Sequence, residues 1–385
     1  MSRYRYLIII LLVAIGFGSA FLSGYFLRAY FEDATYELPI LNQAFDIFIN
    51  HSFLELPGSR ALEYGMIRGM LQASGDPYAI FLEPVQHELE SNSLQGSFGG
   101  IGVELTLSSE GNIVVFPIAN SPAHQAGIQD GDRLISVGDL QIGPTTSIDE
   151  INAAIRGPIG DRVKVIVSRK PDFTPIEFQI PRQEIHLPSV TWRIDPDNPT
   201  VGIVNPQVIA ESTPGEILNA IQELKAKGAT HFVIDLRDNG GGLLTAGVET
   251  ARLFLDDGII MEQQYRGEEI ETFAVNVAGP LRDIPLVVLV NQSTASSAEI
   301  IAGSIQHHDR GLLIGEPTFG KDSIQLIFDL EDDSSLHVTA AKWWFPGNTV
   351  NISENGLQPD VLVTASDSDS DLIMKIAIQS LLEQP

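Results

Sequence analysis

Residues 231–255 read His-Phe-Val-Ile-Asp-Leu-Arg-Asp-Asn-Gly-Gly-Gly-Leu-Leu-Thr-Ala-Gly-Val-Glu-Thr-Ala-Arg-Leu-Phe-Leu. His231 to Leu236 is an apolar run of strand length, and Leu243 to Leu255 carries apolar residues at helical spacing. Between them, Asp235 to Gly242 turns strand into helix. Its three glycines let backbone N–H groups come close to a ligand, as an oxyanion hole requires, although a flexible turn would read the same way. The alternation continues on both sides. Val201 to Val204 is a strand, and Thr213-Pro214 opens a helix with an N-cap and a first-turn proline. Ile217, Leu218, Ile221 and Leu224 form that helix's apolar face, and Gly228 closes it. Leu286 to Val290 is a fully apolar strand and Ala298 to His307 a helix. Such repetition predicts an α/β core over 184–385, a sheet with helices on its faces and functional loops at strand ends.

Upstream the texture changes. Between 94 and 183 short strands dominate: Gly102 to Leu107, Ile113 to Pro117, Arg133 to Val137 and the β-branched Arg162 to Ser168. A short helix closed by Gly127 and a longer one over Ile148 to Ile155 interrupt them, which predicts a small barrel-like α+β module. Pro171 to Pro188 reads as strand plus linker. Residues 29–93 read as short helices around Asn42–Ile49 and Leu62–Leu71, ended by the turn Gly75-Asp76-Pro77-Tyr78. That region is too small for a core of its own and is expected to pack on a later domain.

Tyr6 to Leu27 is uncharged and mostly apolar, long enough to cross a hydrocarbon core of ~30 Å as a helix. Arg3 and Arg5 precede it, so residues 1–28 are expected to be a single-pass anchor in the cytoplasmic membrane, with the catalytic body on the extracytoplasmic side. Gly18-Ser19-Ala20 would also serve as a cleavage site and yield a secreted protein, but the apolar stretch continues past it, which favours an uncleaved anchor. The net charge of −27 over 385 residues argues against a nucleic-acid partner, since a phosphate binder needs a basic face. With no cysteine, a thiol nucleophile, disulfides and cysteine-ligated metals are excluded.

Gly-x-Ser-x-Gly and His-Glu-x-x-His are both absent, and no metal or cofactor site is expected. Gly315 to Lys321 has phosphate-loop spacing. However, Asp322 stands where a hydroxyl should hold magnesium, and residues 323–330 suit a strand rather than the required helix. A different constellation is stronger. Asn291 to Glu299 leads from the apolar strand into a helix, so a serine there sits at a positive helix end that stabilises an oxyanion, unless it only caps the helix. Lys321 lies in a glycine-flanked loop with apolar neighbours. It can act as a base if burial lowers its pKa, while an exposed lysine is the plain alternative.

Together these loops resemble the carboxyl-terminal processing (tail-specific) proteases. The family's Asp-Leu-Arg-x-Asn-x-Gly-Gly loop is matched by residues 235–242, and its Gly-Glu-x-Thr-Phe-Gly-Lys loop by 315–321. Its Ser-Ala-Ser-Glu stretch is matched by Ser296-Ser297-Ala298-Glu299 with the middle order reversed. Lys321 lies 25 residues after Ser296, as in the family. Trp343 to Pro346 and Gly356 to Asp360 match two later family segments. The resemblance implies Ser296 as nucleophile, Lys321 as general base, Gln325 as the residue that orients the lysine, and backbone N–H groups of Gly241 and Ser297 as the oxyanion hole. Asp322 replaces a family glycine and is expected to point away from the lysine, because neighbours on a strand face opposite sides.

The module at 94–183 resembles a PDZ domain. Phe98-Gly99-Gly100-Ile101-Gly102-Val103 sits where such domains hold a terminal carboxylate, and the strand beginning at Gly102 would pair with a peptide by β-augmentation. The fold implied is multidomain α/β (α+β): a crotonase- or ClpP-like protease core, an inserted PDZ domain and an N-terminal transmembrane helix. The function implied is a serine endopeptidase acting on proteins with exposed C-terminal tails, without a cofactor; a homo-oligomer is compatible with it. Three rivals remain. One is a catalytically silent PDZ adaptor, and another an acyl-CoA enzyme on the crotonase-like fold. The third is a histidine triad through His307, His308 and Asp309, which the intervening helix would hold ~15 Å from Ser296.

Overall fold

The computed structural model describes residues 38–108, 110–348, 352–363 and 372–383. The chain divides into two compact units, Met1–Met66 and Ile67–Pro385. In the first, the described residues form the helix Pro39–His51, exposed throughout, and the first half of the helix Ser59–Ser74. Among the described residues no helix is long and apolar enough to cross a membrane, and the anchor expected at Tyr6 to Leu27 lies outside them.

The core of the second unit is a six-stranded sheet. Its order is Val190–Ile194, Val201–Pro206, His231–Asp235, Leu286–Val290, Leu312–Gly315, Val361–Leu362. The first pair is antiparallel and every other pair parallel. Period-two alternation divides its side chains between two cores. Phe232, Ile234, Val288 and Val290 pack beneath the helices Thr213–Ala226, Leu244–Phe254 and Ser297–His307. Val233, Val287 and Leu289 face the other way, onto Leu372–Leu382. This is why Leu286–Val290 reads as an unbroken apolar run: both of its faces are buried. One expected detail differs, since Ser212 rather than Thr213 occupies the N-cap and Thr213 hydrogen-bonds inward to Ser189 and Ala210.

A second, antiparallel sheet lies on the core. Ser335–Trp344 is its central strand, flanked by Ile80–Leu82, Ser323–Asp329 and Ile259–Tyr265, the last of which pairs Glu271–Ala274. The turn at 75–78 and the strand after it therefore belong to the framework around Lys321. A third sheet runs Val103–Leu107, Ile113–Pro117, Asp132–Val137, Arg162–Ser168, Pro175–Pro181, with Leu140–Gln141 on Asp132–Val137. It closes on the helix Ile148–Ile155 around its own apolar cluster, including Val115, Leu134, Ile151 and Val165. The stretch expected to be strand plus linker is two strands, the second of which, Gln183–His186, pairs Ser97–Gly100 as a ribbon.

Candidate active site

Two strand ends and one loop supply the site. The strand His231–Asp235 runs into the glycine loop, and Leu286–Val290 runs into Asn291 to Ser296. The two loops are laced together. Asp238 N–H donates to Asn291 Oδ1 (3.0 Å), Asn291 Nδ2 donates to Asp238 Oδ1 (2.9 Å), and Thr294 Oγ1 donates to Leu236 O (2.8 Å). Ala295 N–H donates to Asn239 O at 3.0 Å. Gly241 has φ +96°, and a Cβ there would lie 2.8 Å from Ala295 O and 2.9 Å from Ser296 Cβ, so only glycine fits this approach.

Ser296 is the N-cap of the helix Ser297–His307, with φ 55° and ψ −123°. A side chain at positive φ costs roughly 1–3 kcal/mol, held here by surrounding bonds. The chief of these comes from Glu299, which is fully buried. Its Oε2 accepts from Ser296 N–H (2.8 Å) and Lys321 N–H (2.9 Å), and its Oε1 accepts from Gly320 N–H (2.8 Å) and Thr318 Oγ1 (2.5 Å). One carboxylate thus fastens the serine turn to the lysine loop. Burial pushes its pKa up, against the pull of these four donors. The same bonds dispose of the phosphate-loop reading, because the amides of Gly320 and Lys321 already serve a carboxylate and a strand, Ser323–Asp329, follows them.

Lys321 is half-buried, and its Nζ donates to Gln325 Oε1 at 2.9 Å. Gln325 is held in turn by a hydrogen bond from its Nε2 to Tyr78 O, and the ammonium lies 5.1 Å from the Tyr78 ring centroid. Burial draws the lysine pKa down, opposed by the carboxylates of Glu90, Asp76 and Glu299. Trp343 Nε1 donates to Lys321 O at 3.1 Å, which gives the Trp343 to Pro346 segment a structural task. Gly356 to Asp360 has one too: Leu357 N–H donates to Thr318 Oγ1 (2.8 Å), and Asp360 accepts from Leu313 N–H (2.7 Å). Asp322 turns away, its Oδ2 2.8 Å from Lys342 Nζ.

Ser296, Lys321, Gln325 and Gly241 line one cavity of about 390 Å³. Ser297 does not line it; its side chain is buried against Gly247, while its backbone nitrogen adjoins Gly241. Gly241 N–H donates to Asn239 Oδ1 at 2.8 Å, so this expected oxyanion donor carries an internal partner. His307 and His308 stand apart, the first stacked on Phe345 (6.4 Å) and the second bonded to Ile259 O (2.9 Å).

At the other module, Phe98 to Gly100 is ribbon rather than loop, and Arg156 lies 4.6 Å from the Phe98 ring centroid. Ile101 is buried, Gly102 takes φ +70°, and the edge strand begins at Val103. Glu299 and Tyr78 are the contributors that sequence reading missed. Glu299 was visible as part of the serine motif, whereas Tyr78 had no signal beyond its turn.

Residues 200–363 match Peptidase family S41, and residues 113–169 match the PDZ domain family. Over 309 residues the chain is 35% identical to the carboxyl-terminal-processing protease of Synechocystis sp., covering 79% of this chain and 72% of that protein. The chain belongs to peptidase family S41. This S41 chain is likewise 32% identical over 328 residues to the carboxy-terminal processing protease CtpA of Bacillus subtilis, covering 85% of this chain and 69% of that one. The solved photosystem II D1 C-terminal processing protease is similar at 29% identity and a TM-score of 0.46, covering 86% of this chain and 90% of that one. The S41 chain is accordingly a serine-type carboxyl-terminal-processing peptidase with a PDZ domain.

Proposed function

We propose that this peptidase cleaves proteins near their C-termini through a Ser296–Lys321 dyad. The observation that carries this is a partly desolvated lysine, bonded to Gln325 and opening on the same cavity as a serine held at a helix N-terminus. Neutral Lys321 takes the proton from Ser296 Oγ as the oxygen attacks the scissile carbonyl. It then delivers that proton to the leaving amine. A water, deprotonated by the same lysine, hydrolyses the acyl-enzyme. The oxyanion is met by the N–H groups of Ser297 and Gly241, at the positive end of the helix. Gly241 must exchange Asn239 for the oxyanion as substrate enters.

The PDZ domain, taken as 94–183, captures the substrate tail along the edge strand Val103–Leu107 and the Ile101-Gly102 turn that opens it, Phe98 to Gly100 being paired with Gln183–His186, and presents the chain to the core at 184–385. A crotonase- or ClpP-like reading of that core is supported by its mostly parallel sheet with helices on both faces. Tyr78 completes the lysine side by holding Gln325. Residues 1–28 anchor the protein in the cytoplasmic membrane with the catalytic body on the extracytoplasmic side, a reading that rests on Arg3, Arg5 and the apolar run after them.

The test is cleavage of tail-tagged peptides and an unfolded protein by the full chain in detergent, against Ser296→Ala and Lys321→Ala. Loss of cleavage in both variants is expected. Wild-type rates in either would overturn the dyad, and a folded wild type that binds tails without cutting them would establish the adaptor instead.

A further inference from the structure

Beside the Ser/Lys pair, at the edge of the same cavity, lies a second set of groups. His87 and Glu90 lie three residues apart on the helix Pro84–Gln95, and His337 lies on the strand Ser335–Trp344. One ligand atom from each lies within 4.8 Å of the others, the sole such group of three among the described residues. His337 Nε2 stands 3.3 Å from Glu90 Oε2. Ligand atoms around a tetrahedral zinc at ~2.0–2.1 Å bonds stand roughly 3.3–3.4 Å apart, so this pair already has that spacing. His87 Nδ1 is buried with no hydrogen-bond partner, which is costly unless something satisfies it. Glu90 Oε2 has only the His337 nitrogen beside it, and that nitrogen also lies 3.2 Å from Ser335 Oγ, a contact that an ion would displace. The other nitrogen of His87, Nε2, lies 3.0 Å from Asp329 Oδ1. A carboxylate on the far ring nitrogen is the outer support that orients a metal-bound imidazole and raises its basicity.

We infer that His87 Nδ1, Glu90 and His337 form a binding site for a first-row divalent cation, zinc foremost, whose occupancy suppresses peptidase activity. Two imidazoles and one carboxylate are a donor set suited to zinc, with the fourth position left open. Glu90 and His337 also line the cavity that holds Ser296 and Lys321, so an ion held by them would border the space a peptide must occupy. The bound ion would also tie the helix Pro84–Gln95 to the strand beside the lysine. Reading the spacing of the sequence could not find this set, because His337 lies far from the other two along the chain. The binding claim is independent of the Ser/Lys mechanism; only the suppression depends on it.

The test uses the full chain in detergent, stripped with a chelator, then titrated with zinc against a chromophoric chelator and with cobalt by visible absorption. One zinc per chain is expected in wild type and in Ser296→Ala, with a tetrahedral cobalt spectrum in both. His87→Asn and His337→Asn should each bind more than about 100-fold more weakly, and Asp329→Asn about tenfold more weakly, as for an outer-sphere partner. His337 is buried, so if its variant does not fold, His87→Asn decides. Hydrolysis by wild type should fall as the site fills, and that of His87→Asn should not respond at the same zinc concentration. Uptake unchanged in His87→Asn, or no stoichiometric uptake by wild type, would overturn the site. Stoichiometric binding with hydrolysis undiminished would overturn the suppression.

Discussion

A lysine that takes a proton from serine must be neutral when it does so, and at Lys321 two tendencies compete. Burial draws its pKa down while three nearby carboxylates draw it up, and burial prevails. In the proposed dyad the neutral form is the active one, so kcat/KM is expected to rise with pH and level off below the range of an exposed lysine. A profile flat from about pH 6 to about pH 10 would remove the lysine as base. The folding consequence has a definite sign. The folded pKa lies below the unfolded one, so the unfolded chain binds more protons between the two values and this group's contribution to stability improves as pH rises through them. Glu299 runs the other way. Its raised pKa stabilises the fold below the unfolded carboxyl pKa, and that contribution is lost as pH rises through the folded value. In Glu299→Gln an amide NH2 would confront two of the four donors. A loss of about 2–3 kcal/mol in denaturant titration is expected, with kcat reduced about 100-fold by misplacement of the serine turn. A stable, fully active variant would show that the carboxylate does not set the geometry. The motif containing Glu299 was legible in the sequence, but its task was not, since that depends on residues 318–321 arriving beside it.

At the scale of elements, the edge strand Val103–Leu107 makes the sharpest statement. Ser108 N–H donates to Asn112 O (2.8 Å) and Ile118 N–H donates to Gly102 O (3.0 Å). Because antiparallel pairing alternates, the backbone groups of Val103, Leu105 and Leu107 point to the open edge. Leu105→Pro deletes an outward N–H and no ladder bond. Tail-peptide affinity measured by calorimetry should fall about tenfold, the equivalent of one backbone hydrogen bond. Unchanged affinity would exclude strand addition at this edge. Local patterning found this strand, the helix Ile148–Ile155 and the strand Leu286–Val290 with almost their observed bounds. It found no separate helix at Pro84–Gln95, whose polar sequence offers no apolar face. It also missed the ribbon Ser97–Gly100, whose partner strand lies beyond the whole PDZ sheet in sequence.

Across the whole molecule the net charge of −27 implies self-repulsion of the compact state. Raising salt from ~0.01 M to ~0.15 M shortens the Debye length from roughly 30 Å to about 8 Å. The midpoint of thermal unfolding should therefore rise over that interval; a midpoint independent of salt would mean that local ion pairs offset the excess charge. The sequence by itself determined the α/β alternation of the core and the order of the three loops that meet at the candidate site. Periodicity and turn chemistry are local properties, and the loops follow directly from the strands that end in them. It also determined the position of the PDZ module, by the same local signals. Only the tertiary structure decided that Glu299 joins the serine turn to the lysine loop and that Tyr78 supports Gln325. It alone gave Gly241 N–H its internal partner and set His337 against His87 and Glu90. These pairings are fixed by sheet register and by helices laid across strands, which bring together residues remote in the chain, and no local period records them.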